Sequence, residues 1–198
     1  MFDLVLLIKT VGYLGLFGII FAESGLLIGF FLPGDSLLFT AGLLAAKGFL
    51  NIWVLMTLTF IAAILGDSTG YYFGKKTGHK VFNKEDSIFF HKDHIKKAQQ
   101  FFDKHGPKTI ILARFVPIVR TFAPVMAGVG KMDYRKFVIY NIVGGFLWSV
   151  GVSSLGYFLG NFIPEIDRYL LPIIFAIIII SVLPNIFQIV KAKRNSNK

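Results

Sequence analysis

The sequence predicts an all-α polytopic membrane protein, organised as an inverted repeat. Each half is expected to be a re-entrant helical hairpin plus a long transmembrane helix, with an amphipathic cytoplasmic helix between the halves. Three observations carry this expectation. Hydrophobic residues make up 55% of the 198 and charged residues only 16%, against roughly 45–50% and about 25% in soluble domains. Four runs are almost or wholly uncharged: Val11–Leu32 holds only Glu23, Asn51–Gly74 holds only Asp67, and Phe137–Phe162 and Leu170–Val190 hold none. Each reaches the roughly 20 helical residues that cross about 30 Å of hydrocarbon. The net charge of +10 falls between these runs rather than inside them.

Taken in chain order, Met1–Thr10 is interrupted by Asp3 and Lys9 and reads as an interfacial segment, not a cleavable signal. Val11–Leu32 is the first span. The break Pro33-Gly34-Asp35 then opens the apolar stretch Gly34–Gly48, and Asn51–Gly74 is the second span. Thr109–Val129 is apolar too, yet it carries Arg114, Pro117, Arg120 and Pro124. Proline and charge make poor lipid-facing helices, and broken backbone at membrane depth survives only inside protein or along a watery cavity. Both stretches therefore read as re-entrant hairpins, shaped by Pro33, Gly34, Pro117 and Pro124. Between Lys75 and Lys108 lie nine Lys and Arg against four acids, with Ile88, Ile95, Ala98, Phe101 and Phe102 on an apolar face. That pattern suits a surface helix whose lysines meet anionic lipid. Phe137–Phe162 and Leu170–Val190 (the latter with Pro172 and Pro184) supply two more spans before a basic tail.

The whole chain, 1–198, reads as one membrane domain: repeat 1 at about 11–78, the basic linker helix 79–107, repeat 2 at about 108–162, a transmembrane helix 170–190 and the tail 191–198. Basic loops stay on the cytoplasmic side, which places both termini in the cytoplasm. Lys47 lands opposite. The repeat shows at an offset of 86. Ser68-x-Gly70-Tyr71-x-x-Gly74 matches Ser154-x-Gly156-Tyr157-x-x-Gly160, and Ala41-Gly42 matches Ala127-Gly128. Inverted repeats whose broken elements meet near the midplane are a transporter architecture. Gly66, Gly70, Gly74 and Gly78, and Gly145, Ser149 and Ser153, form small-residue ridges for helix packing.

The chemistry lies in what remains. Glu23, Asp35, Arg114 and Arg120 sit in apolar segments, and Asp67 is a fifth ionisable group expected nearer a helix end. Such groups pair with one another or line a cavity. Two readings fit: salt bridges that pin the two hairpins together, or a site for an anionic ligand. Arginine offers a planar fork that grips phosphate through two hydrogen bonds, and a carboxylate in low dielectric holds its proton to higher pH than in water.

Glu23, then Pro33-Gly34-Asp35-Ser36, then Gly66-Asp67-x-x-x-Tyr71-x-x-Gly74, then Arg114-x-x-Pro117-x-x-Arg120 resemble the DedA family. Its relatives include the eukaryotic VTT-domain proteins, also called SNARE-associated Golgi proteins. The similarity runs from about Val11 to Pro184 and implies lipid transport: a flippase for undecaprenyl phosphate that depends on the proton motive force, or alternatively a phosphatidylethanolamine flippase or scramblase. By that resemblance Glu23 and Asp35 are the proton-responsive acids, with Asp67 beside them, and Arg114 and Arg120 are the phosphate-binding pair. The expected cycle is a competition. Ionised acids pair with Arg114 and Arg120 and close the site, protonation frees the arginines for a lipid phosphate, and deprotonation ejects it.

Other classes fit less well. A lipid-phosphate phosphatase would want a nucleophilic His beside the arginines, whereas His79, His91, His94 and His105 all lie in the basic linker region. A proton-coupled small-solute transporter leaves the arginines without a task, and a membrane scaffold leaves all the buried charges without one. Gly70-x-x-x-Gly74-Lys75-Lys76-Thr77 echoes a phosphate loop one residue short, inside a membrane helix. The histidines supply no closed tetrahedral set. No metal, no cofactor, no nucleic-acid partner and no enzymatic activity are therefore expected. A homo-oligomer stays open. The absence of cysteine excludes disulfides, thiolate metal sites and cysteine nucleophiles.

Overall fold

The computed structural model describes residues 4–26, 34–81 and 106–162, and these form six helices without a strand. They are α1 Leu4–Gly25, α2 Gly34–Ala46, α3 Ile52–Val81, α4 Lys108–Ala113, α5 Pro117–Val129 and α6 Tyr134–Phe162. Pro33, His91, His94, His105, the 82–105 part of the linker, the 170–190 helix and the tail lie outside the described residues.

Residues 52–77 and 134–162 are long and apolar enough to cross a bilayer. Each long helix starts on a side-chain cap, which supplies acceptors to otherwise orphaned N–H groups. Asn51 Oδ1 accepts from the amides of Trp53 at 3.0 Å and Val54 at 3.2 Å, and Asp133 Oδ1 accepts from Lys136 at 3.1 Å. Apolar side chains such as Trp53, Leu65, Phe73, Phe146, Leu155 and Phe158 stand exposed on the outer faces of α3 and α6. Exposed apolar surface of that extent suits a lipid solvent.

Two expected boundaries are corrected. The first span was expected over Val11–Leu32, but α1 starts at Leu4, has non-helical backbone at Gly12 and ends at Gly25. Gly12 holds φ +57°, a left-handed conformation open chiefly to glycine, and that splits the helix. Residues 34–46 form one uninterrupted helix rather than two limbs. By contrast 108–129 is broken: α4 and α5 are separated by Arg114, Phe115 and Val116. Pro117 explains the break. It occupies the first turn of α5, where its missing N–H costs nothing, and it forces Val116 into extended backbone (φ −115°, ψ 107°).

Packing is crossed. α2 lies along α6, α3 lies along α5, and α1 packs on α3. One buried core joins Leu16, Ile20, Leu37, Leu38, Ala41, Leu44, Leu55, Ala62 and Trp148. A second joins Tyr71, Ile110, Ala127 and Phe137. There the Tyr71 hydroxyl donates to the Met132 carbonyl, which ties α3 to the turn before α6.

Glycines mark every close crossing. A Cβ at Gly66 would meet Phe21 O at 2.7 Å, and Gly70 faces Gly25 O and Pro124 Cβ at 3.5 Å. A Cβ at Gly74 would strike Val125 O, and one at Gly128 would strike Tyr71 O. On the other side Gly42 abuts Ser153 O, Gly156 abuts Phe39 O, and Gly160 lies against Ala46 and Leu43. These contacts correspond between the two helix pairs with an offset of 86 in the short helices and 82 in the long ones. Gly74, not Gly70, is thus the packing counterpart of Gly156. The caps Asn51 and Asp133 differ by 82 as well.

Candidate functional site

The five ionisable residues resolve into two clusters. Arg120, one turn into α5, reaches α1 and α2 together. It pairs through Nη2 with Glu23 Oε1 and through Nη1 with Asp35 Oδ1 at 2.7 Å. Pro124 lacks the N–H that the Arg120 carbonyl would otherwise receive, so the helix is weakened where its charged residue sits. Glu23, two residues before the end of α1, is 1% exposed as a residue. Gly34 leaves room for it, since a Cβ there would fall on the Glu23 carboxylate. Asp35, in the first turn of α2, is the outermost member: its side chain is 30% exposed, against 2% for Glu23 and 9% for Arg120.

Arg114, at the break between α4 and α5, takes the other acid. Its Nη2 donates to Asp67 Oδ2 and to Asn141 Oδ1, while Asn141 Nδ2 donates to the Ile64 carbonyl at 3.2 Å. Gly144 and Gly145 of α6 make space for the guanidinium. The expected pairing of Glu23 and Asp35 with both arginines is corrected here, because both acids share Arg120. The expected place of Asp67 near a helix end is also corrected. α3 continues to Val81, which puts Asp67 at mid-helix, buried and level with Arg114.

Trp148 and Asn141 complete the two clusters, and the sequence alone gives neither a role. The Trp148 indole N–H donates to Asp35 Oδ1 at 2.6 Å, and its ring lies 4.7 Å from the Arg120 guanidinium carbon. Asn141, fully buried, stood out only as a polar residue within the uncharged Phe137–Phe162 run. Glu23 Oε2, Arg120 Nε and Arg114 Nε are buried without a hydrogen-bond partner among the described residues. Buried polar atoms are ordinarily satisfied, so the first cluster keeps unused hydrogen-bonding capacity on both its acid and its base.

Chemically, one guanidinium is held between two carboxylates, which leaves one negative charge in excess when both acids are ionised. Taking a buried pair out of water is costly, and the mutual attraction repays that cost only with good geometry. The stability of such a cluster is sensitive to any change in its charge.

Comparison with known proteins shows the family of the chain. Residues 32–158 match the VTT domain. Protein DedA of Escherichia coli (strain K12) is 48% identical over 184 residues, covering 92% of this chain and 84% of that protein. An uncharacterized membrane protein of Mycobacterium leprae (strain TN) is 50% identical over 166 residues, covering 84% of this chain and 74% of its own length. Inner membrane protein YghB of Escherichia coli (strain K12) is 34% identical over 195 residues, covering 94% and 88%. No solved structure matches the chain.

Proposed function

Since the chain belongs to the VTT-domain (DedA) family of membrane proteins, we propose that it moves a phosphate-headed lipid across the bilayer, undecaprenyl phosphate above all. The observation that carries this reading is Arg120 held by Glu23 and by the partly exposed Asp35. A guanidinium fork matches phosphate as well as it matches carboxylate, so the acids act as internal competitors for the substrate's place. A proton on Asp35 releases Arg120 Nη1 and cancels the excess negative charge, and a phosphate then enters against Arg120 while Glu23 stays as the buried counter-ion. Loss of that proton restores the carboxylate, which displaces the phosphate. Only the head group enters, and the tails remain in the bilayer. Asp67, Asn141 and Arg114 keep the α4–α5 break in register with α3, so Arg114 supports the site and Arg120 grips the ligand.

The same reading includes an inverted repeat whose two re-entrant hairpins are α1 with α2 and α4 with α5, with both termini in the cytoplasm and the protein in the inner membrane. The crossed packing of α2 on α6 and of α3 on α5 supports it. So does the length of α2 and α5, 13 residues each, or about 20 Å against the roughly 30 Å of hydrocarbon.

The test is leaflet exchange in liposomes that contain the purified protein, with labelled undecaprenyl phosphate and labelled phosphatidylethanolamine, with and without a pH gradient. Exchange of undecaprenyl phosphate is expected, faster with the gradient. Arg120→Lys, which keeps the charge and loses the fork, should slow it by about tenfold or more. Exchange of phosphatidylethanolamine alone would move the substrate to the phosphodiester class. Exchange of neither lipid sinks the proposal.

A further inference from the structure

Asp35 Oδ1 accepts from two donors on two different helices: Arg120 Nη1 of α5 at 2.7 Å and Trp148 Nε1 of α6 at 2.6 Å. The indole is buried (3% exposed), and Asp35 is the one acceptor for its N–H among the described residues. An indole N–H donates and cannot accept. When the Asp35 carboxylate gives way, this donor is left in a dry place beside a cation, and a buried donor without an acceptor is costly. Whatever replaces Asp35 must therefore bring an acceptor oxygen to the same point, and Arg120 alongside favours an anionic one. The terminal oxygen of a phosphate meets both needs, with the Asp35 carboxylate serving as its stand-in while the site is closed.

We propose that the Trp148 indole N–H is a ligand-binding donor, which together with Arg120 holds the phosphate oxygen that takes the place of Asp35 Oδ1. This rests on the phosphate reading given above. Trp148 thereby adds a directional, uncharged contact that a lone arginine lacks. Its ring, stacked near the guanidinium, keeps Arg120 aimed at that point by a cation–π contact. Glu23 is the other charged group that faces Arg120, and it stays paired throughout.

The test uses the full chain in detergent, with dodecyl phosphate and inorganic phosphate as probes and binding followed by equilibrium dialysis. The chain has two tryptophans, and Trp53 is exposed at the far end of α3, so Trp53→Phe leaves Trp148 as the sole reporter. Saturable dodecyl phosphate binding should change Trp148 emission in step with dialysis. Trp148→Phe keeps the ring and removes the N–H, and should weaken binding about tenfold, the scale of one hydrogen bond to a charged group. Asp35→Asn removes the competing carboxylate and should tighten binding, an effect of opposite sign that no misfolded protein would give. Equal affinity in Trp148→Phe and the parent overturns the proposal, as does saturated binding without any emission change. Inorganic phosphate bound as tightly as dodecyl phosphate, with the same loss in Trp148→Phe, upholds the donor and makes the ligand free phosphate rather than a lipid head. Binding of neither probe by the parent chain overturns the phosphate reading itself, and this proposal with it.

Discussion

Arg114 and Arg120 stand six residues apart and do different work. Arg120 faces two acids, one of them partly exposed, which suits a group that exchanges partners. Arg114 is buried against a buried Asp67 and a buried Asn141, which are the properties of a fixed joint. Removing one member of a buried pair leaves the other uncompensated, at a cost of about 3–5 kcal/mol. Asp67→Ala should therefore lower the thermal unfolding midpoint in detergent far more than Asp35→Asn does. Equal midpoints would mean that Asp67 and Arg114 are not a structural joint. The identities of the charged residues were legible in the sequence because a charge is conspicuous in an apolar run. Their partnership was not, because it depends on which helices become neighbours: α3 passing beside α5 gives Asp67 to Arg114. Trp148 was illegible for a different reason, since a neutral aromatic in an apolar helix carries no signal until its N–H is seen to have a carboxylate.

At the level of helices, the small residues decide how closely the two crossed pairs approach. Gly156 has the Phe39 carbonyl where a side chain would begin, whereas Gly151, on the same helix, has nothing within 4 Å. Gly156→Leu should separate α6 from α2 and destabilise the protein by about 1–3 kcal/mol or more, the range for overpacking. Gly151→Leu should leave the unfolding midpoint unchanged, and a similar loss in both would show that helix propensity rather than contact is responsible. The helices themselves were largely legible, including the two long spans and the break around Pro117. The register of the repeat was not. Gly66, Gly70, Gly74 and Gly78 recur every four residues, so the ridge matches itself after a slip of about one helical turn. In the long helices an offset of 86 fits the letters, whereas 82 fits the contacts and the caps.

Taken as a whole, the molecule has a basic end and an apolar girth. Lys75 and Lys76 of α3 and Lys131, Arg135 and Lys136 around the start of α6 lie at one end, since Gly128 abuts Lys75 and the Tyr71 hydroxyl bonds Met132. Phe49 and Asn51 lie at the other end of α3. With no native cysteine to interfere, Lys76→Cys and Lys136→Cys should both be labelled by a membrane-impermeant maleimide from the cytoplasmic face, and Phe49→Cys only from the opposite face. Labelling of Lys76→Cys and Phe49→Cys from one side would refute the arrangement across the bilayer. The shortness of α2 and α5 carries a further electrical consequence. A membrane's voltage falls across whatever insulation separates the two aqueous phases. Two helices of about 20 Å, in a layer of roughly 30 Å, leave that insulation thinnest around their ends. Asp35 is the second residue of α2 and Arg120 the fourth of α5, so a re-entrant arrangement of these helices sets both charges near that thinned layer. A full 100 mV acting on one elementary charge amounts to about 2.3 kcal/mol, comparable to a hydrogen bond made by an ion. On the proposed reading, the voltage across the cell membrane should therefore act on the grip of Arg120, alongside any difference in proton concentration.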